Sequence, residues 1–137
     1  MKIYFAGSIY GGREDVPIYL EIITQLSKYG QVLTEHVGDA KYVPKSENGI
    51  PADICVYTKD TNWMKECDIL IAEISKPSLG VGYEIGFAEA LGKKIVCLYR
   101  EGSERPLSCM ITGNKNLTVR TYKSFNDIPL ILKEFFE

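Results

Sequence analysis

The chain has 137 residues, 45% of them hydrophobic and 25% charged, with a net charge of −2. That length fits one domain spanning 1–137 around an ordinary core, and the near-neutral balance excludes the basic field that steady nucleic-acid binding needs. Four cysteines without a C-x-x-C pair, beside a single histidine, argue against a zinc site; no apolar run approaches the ~20 residues of a membrane span. The start Met1-Lys2-Ile3-Tyr4 carries no signal-peptide pattern. The expectation is a soluble, cytoplasmic protein with reduced thiols, no metal and no membrane partner.

Residues 2–6 read as a first strand and 7–13 as a glycine-rich turn. Ile18, Ile22, Ile23 and Leu26 recur at helical spacing, which predicts a helix over 14–29 with Gly30 as its stop. Residues 31–35 read as a second strand, with His36 just past its end. Residues 37–51 hold Gly38, Pro44, Ser46, Asn48, Gly49 and Pro51 and show no period; such a loop is a lid, a binding loop or disordered. A second helix is predicted over 52–66, with Ile54, Val56 or Tyr57, and Met64 as its apolar positions and with Asp60 and Trp63 inside it. Residues 68–74 form a third strand, apolar on both faces as a central parallel strand should be. A fourth strand spans 94–99, where Cys97 reads as a small buried hydrophobe. Residues 105–111 read as a short helix or loop, 117–121 as a fifth strand and 125–136 as a closing amphipathic helix.

Strands alternating with helix-length gaps demand right-handed crossovers and a parallel sheet covered on both faces. Five strands suggest a doubly wound, flavodoxin- or Rossmann-like α/β fold of order 2-1-3-4-5. Such sheets bind ligands beyond the carboxyl ends of strands 1 and 3. The loops there are 7–13 and 75–82, the two turns rich in glycine and serine. In Pro77-Ser78-Leu79-Gly80-Val81-Gly82-Tyr83-Glu84-Ile85-Gly86, Gly80 and Gly82 would let the backbone turn tightly, and Glu84 is expected in the first turn of the helix that ends at Gly92.

The first turn lacks G-x-G-x-x-G spacing, there is no Walker-type lysine, and Gly80-Val81-Gly82 has no nucleophile-elbow serine. Carboxylates, hydroxyls and backbone amides remain. Glu84 and Asp60 are the candidate pair for cleaving a glycosidic bond, one attacking the anomeric carbon while the other helps the leaving group take a proton; a separation of roughly 5 Å would imply a covalent sugar–enzyme intermediate. The turns suit a substrate phosphate held by N–H and O–H groups. Each residue also has a plainer reading. Glu84 could be an acid favoured by the helix dipole, Asp60 a solvated face, Tyr4 core packing, Ser8 and Ser78 caps of the following turns, His36 a surface residue, and Trp63 an anchor for the second helix.

Residues 2–13, Leu33-Thr34-Glu35-His36, the stretch Pro77 to Gly86, and Leu107-Ser108-Cys109-Met110-Ile111 together resemble the 2'-deoxynucleoside 5'-phosphate N-hydrolases, a branch of the nucleoside 2-deoxyribosyltransferase superfamily. The resemblance spans essentially the whole chain. It implies hydrolysis of deoxynucleoside monophosphates to a free base and 2-deoxyribose 5-phosphate, without metal or cofactor, by a homodimer. It makes Glu84 the nucleophile on C1', Asp60 the acid assisting base departure, and Tyr4 the hydroxyl that orients the nucleophile. Ser8 and Ser78 become phosphate ligands, Ser108 a phosphate ligand delivered from the neighbouring subunit, and His36 a neighbour of the base. Gly7, Ile9, Tyr10, Gly11, Gly12, Arg13, Gly80, Cys109 and Met110 complete the substrate-binding set that the resemblance implies. The family usually has arginine where this chain has Tyr10, a departure that bears on base and sugar preference. Two rival readings stay open: a base-exchanging 2-deoxyribosyltransferase, and a module that binds nucleotides without cutting them.

Overall fold

A computed structural model describes residues 1–9 and 14–137 of the chain. Five parallel strands, β1 (Lys2–Ala6), β2 (Gln31–Val32), β3 (Ile69–Glu73), β4 (Lys94–Arg100) and β5 (Thr118–Tyr122), form one sheet in the order 2-1-3-4-5. Helices α1 (Val16–Leu26) and α5 (Asp127–Phe136) cover one face; α2 (Ala52–Glu66) and α3 (Leu79–Ala90) cover the other. A single turn, α4 (Cys109–Thr112), precedes β5. The doubly wound order expected from the sequence is the observed one.

Strand alternation divides the core. Ile3, Phe5, Ile69, Ile71, Val96 and Leu98 point to the α1/α5 side. Tyr4, Ala6, Leu70, Ala72, Ile95 and Cys97 point to the α2/α3 side. One side chain of β1 among these, Tyr4, is polar, and the period of two sends it under α2 and α3. The central position of β3 explains why all five of its residues are buried, Glu73 included.

Several expectations shift. The helix predicted from residue 14 begins at Val16, where Pro17 occupies its first turn, and ends at Leu26. Gly30 is therefore not its cap; a Cβ there would lie 2.3 Å from the Met1 carbonyl oxygen, so the requirement is close backbone approach. The second strand ends at Val32 instead of Glu35, and Glu35–Gly38 is a 3-10 turn that contains His36. Thr34 causes this. Its buried Oγ1 accepts from Phe5 N–H at 2.8 Å and donates to Phe5 C=O at 2.7 Å, replacing a strand partner with a side chain. On α2, Ile54 and Tyr57 are exposed, and Cys55, Thr61 and Met64 face inward. The closing helix starts at Asp127, two residues later than expected, and β5 ends at Tyr122. Gly92, by contrast, does end α3, with φ +73°.

Replacing Thr34 with valine would strand two buried backbone groups of a central strand. Urea denaturation at neutral pH is expected to show a loss of about 2–4 kcal/mol, with Thr34→Ser retaining most of the stability.

Candidate active site

The site lies under β1 on the α2/α3 side. Tyr4 is held rigid by the sheet and is almost wholly buried. Its hydroxyl donates to Oε2 of Glu84, and Asp60 stands close enough to interact with the same hydroxyl. Each carboxylate flanks a buried stripe: Glu84 beside Val81, Ile85 and Ala88 on α3, Asp60 beside Thr61 and Met64 on α2. Both helices therefore turn one acid toward one phenol where the apolar seam between sheet and helices begins.

Burial dominates the electrostatics. It pushes Glu84 up to about 7, with the charge of Asp60 adding to the rise and the Tyr4 hydrogen bond opposing it. Burial pushes Asp60 up to about 6, opposed by Tyr4 and by the neighbouring Lys59 ammonium. The Tyr4 phenol is pushed far above its ordinary range by burial and by both carboxylates, so it stays a donor. Two acids near neutrality sharing one donor are equipped to hold and pass a single proton.

The β3–α3 connection differs from the expected glycine turn. The helix starts at Leu79, so Gly80 and Gly82 lie inside it, and Glu84 sits in the second turn, beyond the free N–H groups. Its acidity is thus governed by burial and its neighbours, not by the dipole. Ser78 is the N-cap, accepting from Val81 N–H at 3.3 Å. A Cβ on Gly80 would lie 3.9 Å from both Ser78 Oγ and Glu84 Oε1. The missing side chain leaves an open spot between a hydroxyl and the carboxylate.

His36 belongs to a cavity of about 310 Å³ that Asp60 also lines. Its ring lies 4.4 Å from that of Tyr42 and 5.9 Å from that of Trp63. Lys59 pairs with Glu47 at 2.6 Å and draws the 39–47 loop onto α2. Tyr42 and Glu47 are wall residues that the sequence did not single out, because the loop carries no period. Trp63 packs on the core, as the anchor reading has it, and also lines the cavity.

Ser8 is buried at the end of β1, its N–H donating to the Tyr19 hydroxyl at 3.1 Å. Gly7 has a packing reason, since a Cβ there would press on the Tyr19 ring and Val37 at 3.1 Å. Ile9 packs against the α1/α5 side of the core. Tyr10, Gly11, Gly12 and Arg13 lie outside the described residues. Ser108 caps α4, accepting from Met110 N–H at 3.1 Å. It shares a groove of about 690 Å³ with Ser78, Lys76 and Arg105 of the same chain. Cys109 and Met110 follow it on the surface. The structure thus brings Tyr4, Glu84 and Asp60 together, sets Gly80 and Ser78 beside Glu84 and His36 beside Asp60, and leaves Ser108 across a groove. Among the described residues no cluster of three or more His, Cys, Asp or Glu is placed to hold a metal ion, and no helix is long and apolar enough to cross a membrane.

A folded carboxyl raised above its unfolded value holds its proton more tightly in the native state, so its destabilising effect grows as pH rises from about 4.5 to 7. Glu84→Gln removes that effect. The variant is expected to melt higher than the parent at pH 8, by on the order of 2 kcal/mol, and to match it at pH 4, as calorimetry at both values would show.

The family model described as nucleoside 2-deoxyribosyltransferase matches residues 3–121. A 5-hydroxymethyl-dUMP N-hydrolase of Rattus norvegicus is 51% identical over 139 residues, covering 99% of this chain and 85% of that protein. The protein of the same name in Mus musculus is 50% identical, covering 99% of this chain and 80% of its own. Among solved structures, the CMP N-glycosidase of Clostridium botulinum superposes with a TM-score of 0.65 at 23% identity, over 97% of this chain and 99% of that one, a likeness of fold.

Proposed function

The chain belongs to the nucleoside 2-deoxyribosyltransferase family, and we propose that it hydrolyses the N-glycosidic bond of 2'-deoxynucleoside 5'-monophosphates, releasing the free base and 2-deoxyribose 5-phosphate. Relatives half identical over nearly the full chain carry the name of N-hydrolases of a deoxynucleoside monophosphate. The observation that carries the reading is the Tyr4 hydroxyl donating to Glu84 with Asp60 beside it.

In this reading Glu84 is the nucleophile. Its carboxylate bonds to C1' as the glycosidic electrons leave with the base nitrogen, and Asp60 supplies the proton that the departing base takes up. Tyr4 keeps Glu84 aimed and partly offsets its desolvation. Water then attacks C1', gives a proton to Asp60, and frees the sugar phosphate and the Glu84 carboxylate. Ser78, with Ser8 from the neighbouring turn, holds the phosphate; the gap left by Gly80 spans phosphate and nucleophile. The base occupies the aromatic cavity of His36, Tyr42 and Trp63. Ser108 reaches the partner's phosphate in a homodimer. The exposed Leu79, at 96%, and Met110, at 81%, favour that association, since both are large apolar side chains beside the groove. The cytoplasm is the proposed location.

Chromatography of a panel of ribo- and deoxyribonucleoside monophosphates should show base released from the deoxy series. Glu84→Gln should reduce turnover by several orders of magnitude while the fold persists; near-normal activity would overturn the assignment. Adding a second free base to the assay should give no exchange product, whereas exchange would favour a transferase.

The productive enzyme is the singly protonated pair with its proton on Asp60 and Glu84 ionised, the minor of the pair's two tautomers, so kcat/KM should follow a bell whose limbs lie near 6 and 7. Asp60→Asn should lower the rate by about 10²–10⁴ and abolish the alkaline limb.

A further inference from the structure

A second buried carboxylate, Glu73, plays no part in this chemistry. It ends β3 on the sheet face opposite Tyr4 and is 1% exposed. Burial alone would favour its neutral form, yet three donors are aimed at it. Ser75 N–H lies 2.6 Å from Oε1 and Ser75 Oγ lies 3.0 Å from Oε2, where the Tyr122 hydroxyl also donates. Ser75 Oγ accepts in turn from Arg100 N–H at 2.7 Å, and the Arg100 guanidinium reaches Asp15 at 3.3 Å. The Asp15 carbonyl takes the first N–H groups of α1, from Ile18 and Tyr19, and the Tyr19 hydroxyl accepts from Ser8 N–H. Lys76 pairs with Glu14 across the same gap.

One relay of hydrogen bonds therefore runs from the end of β5 through β3 and β4 to the start of α1. It passes through Ser75, in the segment that carries Ser78, and closes on Tyr19, whose hydroxyl takes the N–H of Ser8. A strand end needs no such device: apolar residues could fill this place, and a buried carboxylate demands every one of these donors. We propose that Glu73 is a positioning residue that sets Ser78, past the end of β3, and Ser8, past the end of β1, at the spacing a substrate phosphate requires. It touches neither the sugar nor the base and acts through Ser75. The inference rests on the phosphate-site reading above and goes beyond it in naming what holds that site open.

Loss of uniform binding, equal in ground and transition states, raises KM and spares kcat, and in this inference the phosphate contacts, remote from C1', belong to that class. Glu73→Gln keeps the volume but turns one acceptor into a donor facing the Ser75 and Tyr122 donors. With a deoxynucleoside monophosphate its KM should rise about tenfold while kcat stays within about twofold, and calorimetric affinity for 2-deoxyribose 5-phosphate should fall by the same factor. Tyr122→Phe removes one donor and should show the same split at about threefold, which covers the case in which Glu73→Gln does not fold. Unchanged affinity for 2-deoxyribose 5-phosphate in a folded variant, or equal losses in kcat and affinity, would overturn the inference. If the parent enzyme released no base, the proposed reaction would fall, while sugar-phosphate affinity in parent and variant would still decide the role of Glu73.

Discussion

A phenol pinned in a sheet, donating to a carboxylate that has lost most of its water, is the contact on which the rest depends. As the nucleophile proposed above, Glu84 in water would be solvated and fully ionised, and weak toward a sugar carbon. Taken out of water it holds its charge weakly, and the hydroxyl of Tyr4 supplies what solvent no longer does. The arrangement needs a backbone that does not relax. Parallel pairing of β1 with both β2 and β3 provides it, and the pleat decides that Tyr4 faces α2 and α3 while Ile3 and Phe5 fill the opposite side.

Two carboxylates on different faces of one sheet show how burial is put to different ends. Glu84 has one donor and an acidic neighbour, so its proton is loosely committed. Glu73 has three donors and a distant guanidinium, so its carboxyl oxygens are held in a relay. Both are costly to bury and both are pushed upward by desolvation. The number of donors separates the group suited to reaction from the group suited to holding two loops apart.

The sequence revealed the architecture because every strand and helix that matters has its own period or composition: an apolar β3, a helical recurrence through Ile18 to Leu26, an amphipathic α5. It did not reveal contacts made at a distance. Thr34 reads as one more strand residue until its hydroxyl is seen bonded to Phe5, 29 positions away. Met64 is buried as expected, but Ile54 and Tyr57, the latter an alternative to Val56, read as core until α2 turns Cys55 inward, because apolar residues at that spacing mark a face without saying which partner covers it. Gly80 and Gly82 read as a turn because glycine there signals one; in the folded chain they begin a helix, and the absent side chain matters for the space it leaves. Glu84, Asp60 and Tyr4 were legible as candidates by residue type and family resemblance. Their shared hydrogen bonding, and the aromatic wall from Tyr42, came from tertiary packing alone.

The brevity of β2 has a bearing on how copies of the chain meet. With two residues in the edge strand, and with Thr34 already occupying the Phe5 groups that a longer neighbour would pair, that margin presents almost no open ladder for a foreign strand to extend. Encounters there cannot propagate by backbone zippering. At that margin any association is left to side chains on the flanking helices, where size and shape, not a repeating main-chain template, set what can join.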